Sequence, residues 1–324
     1  MLKRNGWTRS RIALREWMPV IVLMCCTFVF NTSEFIPIGL LSDIAADFGI
    51  TEARAGLLIT VYAWVVALVS LPLMLAVARM ECRRLMLGVL GLFIASHVLS
   101  GLSSSYAMLM ASRIGVACAH AVFWSIVSPL AVRVAPKGAQ SAALGLIITG
   151  TSIAMIVGLP LGRVIGLYVG WRTTFFFIAA VAAAVWLFLA AIFPRDTISL
   201  RKVPSLLGNP ALVGLYVLTV LMVTGHYTGY SYIEPFLAQV AGLDNDWITW
   251  VLTAFGLVGI VGSLWFSRDY EKRPYAFMRF AVVGIAFFLL LLRLSAFGHF
   301  PVVALCICWG LAITIFNLVY LRRS

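Results

Sequence analysis

Apolar residues run along this chain in blocks of about twenty, and polar or charged residues gather in the short gaps between them. Coiled as a helix at roughly 1.5 Å of rise per residue, a block of that length matches the hydrocarbon thickness of a bilayer. Ten such blocks are predicted as membrane spans, at 17–41, 55–78, 85–104, 107–132, 141–163, 173–193, 210–233, 247–267, 276–294 and 301–321. The longest polar gap, PRDTISLRKVPSLLGNP (Pro194 to Pro210), reads as a linker. It divides the chain into a six-helix bundle, 1–198, and a block of four helices, 199–324. A weak repeat supports the division. The first span ends NTSEFIPIGLL and the seventh YSYIEPFLA, and the gaps after the second and eighth spans read ARMECRR and SRDYEKR. Two related halves are a signature of secondary transporters.

Composition makes lipid the solvent. Of 324 residues, 62% are hydrophobic and 11% charged, with mean hydropathy +1.03. An average soluble domain carries roughly 25% charged residues. The expected fold class is therefore an all-α membrane protein.

The net charge of +12 does not mark a nucleic-acid binder, because nineteen of the 24 lysines and arginines fall in alternate gaps and at the two ends. Lys3, Arg4, Arg9, Arg11 and Arg15 precede the first span, Arg79, Arg83 and Arg84 follow the second, and Arg133 and Lys137 follow the fourth. Arg195, Arg201 and Lys202 follow the sixth, Arg268, Lys272, Arg273 and Arg279 the eighth, and Arg322 and Arg323 end the chain. Positive charge collects on the cytoplasmic side, so both termini are expected there. The first apolar block exceeds a signal-peptide core and no small-residue cleavage site follows it, so it reads as a retained helix.

Against this background the ionisable residues inside spans stand out. A carboxylate at membrane depth costs roughly 2.5–3.5 kcal/mol unless it has a partner or a task. Glu34 lies in the first span, and span counting puts Arg113 of the fourth at similar depth, roughly 10 Å below the outer boundary. Such a pair is either a static structural contact or a proton-sensitive or substrate-sensitive one. His120 and Trp124 continue the Arg113 face, as a titrating histidine and a stacking aromatic or as packing residues. In the seventh span His226, Tyr230 and Glu234 recur at i, i+4 and i+8, the spacing of a cavity-lining stripe, although Glu234 is near enough to the boundary to be merely solvated. Asn31 shares the face of Glu34. Gly158, Pro160 and Gly162 in the fifth span allow close helix approach and a local bend.

The six cysteines have no zinc or redox spacing, and no phosphate-cradling loop, metal-ligand cluster or HxxxxD pattern occurs. Neither an enzyme nor a cofactor or metal site is expected.

Several stretches resemble the major facilitator superfamily, in particular the sugar-efflux branch of its drug:proton antiporter families. They are EFIPIGLLSDIAADFGITEARAGLLITVYA, SRIGVACAHAVFWS around Arg113, GLPLGR, GWRTTFFFIA and HYTGYSYIEPF, which together span most of the chain up to about residue 310. The resemblance implies a multi-pass protein of a bacterial inner membrane that exports sugars or sugar analogues against protons. Glu34 and Arg113, with His120, would couple the protons. Asn31, Trp124, His226, Tyr230 and Glu234 would face substrate, and Gly158 to Gly162 would set the direction of exchange. Related chains have twelve helices, so the resemblance also implies that helices 11 and 12 are missing here, and the loop after the second span keeps only Arg79, Arg83 and Arg84 of the family motif. Multidrug–proton antiport and an inactive or partner-dependent membrane polypeptide stand beside this reading.

Overall fold

The computed structural model describes residues 5–77, 80–194, 210–294 and 298–323, and among these every regular element is a helix. The chain begins with α1 (Asn5–Gly39) and the short α2 (Leu41–Asp47). α3 (Glu52–Val77), α4 (Cys82–Gly101) and α5 (Tyr106–Val134) follow. Next come α6 (Gln140–Ile153), α7 (Leu159–Val169) and α8 (Trp171–Ile192). The rest is α9 (Pro210–Tyr230), α10 (Ile233–Pro235), α11 (Asn245–Asp269), α12 (Pro274–Leu294) and α13 (His299–Arg323).

Local chemistry sets several ends. Ser105 and Asp244 accept the free backbone N–H groups of Met108 and Trp247, capping α5 and α11. Gly170, at φ +100°, makes the turn from α7 into α8 that other residues would make only under strain. Arg172 then ties that corner down. It donates to the Ser103 carbonyl, pairs with Asp47 at 2.8 Å and lies over the Trp171 ring.

Among the described residues nine helices are long and apolar enough to cross a bilayer. The seventh expected span, 210–233, falls on α9, part of whose side chains lie outside the described residues, and it is not among the nine. The expected linker, 195–209, also lies outside them, as do Lys3, Arg4 and Arg79. The expected fifth span, 141–163, is a longer but interrupted rod: α6, a π-helical turn at Ala154–Gly158, then α7. Pro160 has no N–H for the Ile156 carbonyl, and the turn before it widens from α to π geometry.

Two large apolar cores form, with a small third one of Leu41, Ala45 and Ala55. One gathers buried residues of α1, α3, α4, α5 and α8, from Val22 to Phe193. The other gathers those of α10 to α13 and borrows Phe35 and Ile38 of α1 and Leu159 of α7. α1 thus touches both. Outward faces are apolar too, as along α3 with Trp64, Leu68, Leu71 and Leu75. That is expected where lipid is the neighbour.

α6 and α7 meet α1 along a row of glycines. A Cβ on Gly150 would stand 2.6 Å from the Met24 carbonyl oxygen, and one on Gly162 would stand 2.6 Å from the Ile36 side chain. Gly158 and Gly166 face Thr32 and Leu40 in the same way. Close backbone approach through small residues is how membrane helices gain packing energy without a hydrophobic drive. On the other side of the π turn, a Cβ on Gly256 of α11 would lie 2.8 Å from the Met155 carbonyl oxygen and 3.1 Å from the Ile156 Cα. Neither atom can rotate aside. Gly256→Ala is therefore expected to push α11 off the π turn at about 1–3 kcal/mol, checked as a lower melting temperature of the detergent-solubilised protein.

Candidate functional site: two carboxylate–arginine centres on the first helix

α1 contains Pro37, which cannot donate a hydrogen bond to the Ser33 carbonyl four residues earlier. In a bilayer an orphan carbonyl is costly, and a neighbouring helix must satisfy it. Arg113 of α5 does so, with Nη1 donating to the Ser33 oxygen at 3.3 Å. The same logic recurs where α1 ends. The Gly39 carbonyl has no helical N–H to meet, and Arg163 Nη1 of α7 donates to it. Two buried guanidiniums thus cap two free carbonyls on one helix, and each stands near a glutamate.

The first centre is built by α1, α3, α5 and α9. Glu34 projects next to Ser33, with its side chain 29% exposed. His120 Nε2 lies 3.6 Å from Glu34 Oε2, and His120 Nδ1 is 2.6 Å from the Tyr62 hydroxyl. Presenting an N–H to the carboxylate leaves Nδ1 to accept from the Tyr62 O–H. Arg113 lies over the Tyr62 ring at 4.6 Å. It interacts electrostatically with Glu34, yet no ion pair within 4 Å joins them among the described residues. Its Nε and Nη2, fully buried, have no hydrogen-bond partner there. Tyr227 of α9 comes within electrostatic reach of Glu34 and lies parallel to the Phe35 ring at 6.4 Å. Equal depth predicted that Glu34 meets Arg113, and the shared helix face added His120; the carboxylate's near neighbour is the histidine.

The second centre joins distant parts of the chain. Glu234 of α10 lies 3.4 Å from Arg163 Nη1 and accepts from the Ser42 hydroxyl at 3.0 Å and the Ser42 N–H at 3.3 Å. Arg163 Nη2 also donates to Asn245 Oδ1 at 3.0 Å. Asp43, in the short helix between spans, is pushed above the ordinary carboxylate range by burial, and the Arg163 guanidinium pulls it part of the way back. Nearby, the Gln239 amide donates to Glu52, and the Tyr232 ring fills the space beside Gly56. Apart from the Asp43–Arg163 interaction, these contacts join α2, α3 and α7 to the stretch from Tyr232 to the start of α11.

The other predicted residues separate. Asn31 is buried and donates to Thr27 O and to Thr151 Oγ1 of α6, both at 3.2 Å. Trp124 packs half-buried against His120, ring to ring at 5.9 Å. His226 stacks on Tyr230 at 5.3 Å inside an aromatic group with Tyr227, Phe255 and Trp309. The expected continuous stripe does not reach Glu234, because α9 stops at Tyr230 and Glu234 belongs to a separate turn. Pro235 explains the break, since it offers the Ser231 carbonyl no N–H and disfavours helix in the residue before it.

Sequence reasoning missed Tyr62, His97, Arg163 and Tyr227. Arg163 and His97 carried a usable signal, as ionisable groups inside apolar spans. Tyr62 and Tyr227 look like any aromatic of a membrane helix.

Residues 23–321 match the family model described as the Major Facilitator Superfamily. Among solved structures, the chain is similar to a bacterial homologue of the human lysosomal transporter Spinster in its inward-facing, unoccupied conformation. The TM-score is 0.68 at 17% identity, covering 94% of this chain and 74% of that one. The same protein in its inward-facing, occupied conformation gives a TM-score of 0.67 at 18% identity, covering 95% and 73%. At these identities the likeness is one of fold. A helical chain matched by the family model over nearly its whole length belongs to the Major Facilitator Superfamily, a non-enzymatic class of multi-pass membrane transporters.

Proposed function

We propose that this protein exports sugars or sugar analogues across a bacterial inner membrane in exchange for protons, by alternating access between two bundles, 1–198 and 199–324. The bundles hold six and four spans, and the lysines and arginines of alternate gaps keep both termini cytoplasmic. The observation that carries the reading is the partly exposed Glu34 carboxylate, with His120, Tyr62 and Arg113 around it and Tyr227 facing it from the second bundle. A group that exchanges a proton at membrane depth needs water access and a nearby cation that tolerates either charge state. Glu34, Arg113 and His120 are assigned to proton coupling. Asn31, Trp124, His226, Tyr230 and Glu234 are assigned to substrate, with Glu234 engaged by Arg163 in the state described here. Gly158, Pro160 and Gly162 form the joint on which the bundles rock.

The Arg163–Glu234 centre lies at the end bearing α2 and α10, which the charge distribution makes the outer end. Its contacts between bundles support an outward-closed state. The aromatic group of Tyr227, Tyr230, Phe255 and Trp309 favours a second reading, export of lipophilic cations, since rings attract cations as well as stack on sugars.

Purified protein in vesicles under an imposed pH gradient tests both readings. A labelled thiogalactoside is expected to move against the proton gradient, and a lipophilic dye is not. Movement of the dye alone would select the second reading, and movement of neither would overturn proton-coupled export.

A further inference from the structure

His97 of α4 has no part in the arrangement above, yet it is completely buried and bonded at both ring nitrogens. Its Nδ1 lies 2.9 Å from the Phe93 carbonyl oxygen, which can only accept, so Nδ1 carries the proton. In the neutral ring Nε2 is then an acceptor, and it takes the Ser33 hydroxyl proton at 2.7 Å. A serine inside a helix ordinarily turns its hydroxyl back to the carbonyl four residues earlier. Ser33 is instead drawn across to α4. The same residue offers its proline-freed carbonyl to Arg113 on α5. Three helices therefore meet at Ser33, one residue before Glu34.

The consequence concerns Arg113. A buried guanidinium with two unpartnered nitrogens beside a carboxylate would gain by closing onto it. It is held at the Ser33 carbonyl instead. We propose that His97 is a positioning residue: through Ser33 it fixes the α1 carbonyl that holds Arg113 off Glu34, leaving the carboxylate free to take and release a proton. The groups around the imidazole are Ser33 from α1, Arg113 from α5 and the Phe175 ring from α8, with Phe93 on its own helix. None is a carboxylate.

The test reads Glu34 directly. Difference infrared spectra of the protein in lipid give the pH midpoint of the carboxylic-acid band, identified by its loss in Glu34→Gln. In His97→Leu and Ser33→Ala the midpoint is expected to fall by about half a pH unit or more as the guanidinium closes on the carboxylate. His97→Gln, whose amide oxygen accepts from Ser33, is expected to keep the wild-type midpoint. Unchanged midpoints in both His97→Leu and Ser33→Ala would overturn the proposal, as would an equal fall with His97→Gln, which would make the histidine a packing residue only. Ser33→Ala carries the test alone if His97→Leu fails to insert. A second arm rests on the proposed function: pH-driven thiogalactoside transport should lose its wild-type pH profile in the same two variants. The infrared arm needs no transport, so a failure of the export reading leaves the His97 result standing or falling by itself.

Discussion

Glu34→Gln is expected to reduce thiogalactoside movement driven by a pH gradient to the level of protein-free vesicles. The carboxamide has the same shape and still presents an acceptor toward His120, but it cannot gain or lose a proton. Substrate-for-substrate exchange without a gradient should therefore survive within about twofold, because it needs the bundles to rock and does not need the carboxylate to titrate. The two measurements together separate coupling from folding. Full gradient-driven transport by the glutamine variant would remove Glu34 from the mechanism, and loss of both activities would make it structural.

The second large effect concerns the centre that joins the two parts of the chain. Arg163 and Glu234 have side chains 0% and 4% exposed. Removing one member of such a pair strands the other charge and costs about 3–5 kcal/mol. In the proposed two-bundle arrangement the partners sit on opposite sides of the contact, and that cost is expected to fall on the outward-closed state alone. Glu234→Ala is expected to move the protein toward a state open at that end. Ile38, which packs in the second core from α1, reports the change: a cysteine there should become reactive to a membrane-impermeant thiol reagent added outside. Adding Arg163→Ala to Glu234→Ala should restore part of the protection, since no stranded charge remains. Equal labelling of the Ile38→Cys protein with and without Glu234→Ala would show that the pair does not hold that end shut.

How far these centres could be read from the amino-acid order depends on the kind of interaction. Helix existence came directly from the apolar blocks, because the bilayer imposes one length on every span. The depth of Glu34 and Arg113 followed from counting residues at a fixed rise. What counting does not supply is the partner on another helix. Pro37 was visible, and its freed carbonyl could have been anticipated, yet nothing local says that Arg113 rather than another group meets it. Arg163 and Glu234 are brought together only by the packing of α7 against α11 and of α10 against α2. Their link is a property of the assembled molecule. The stripe through His226 and Tyr230 failed at Glu234 for a local reason, Pro235, which the periodicity argument passed over. His97 was visible as an ionisable group inside a span, but its partners, the Ser33 hydroxyl and the Phe93 carbonyl, look unremarkable in the chain.

The glycine row of α6 and α7 has a mechanical consequence. Where side chains interdigitate, helices must lift apart before they shift, and the lifting is a barrier. At Gly256 there are no such teeth, because the π turn meets it with the Met155 carbonyl and the Ile156 backbone, whereas the Thr32, Ile36 and Leu40 side chains of α1 sit in the notches left by Gly158, Gly162 and Gly166. The π turn thus lies between a keyed seam with α1 and a smooth seam with α11, and small sliding displacements encounter less friction along the second.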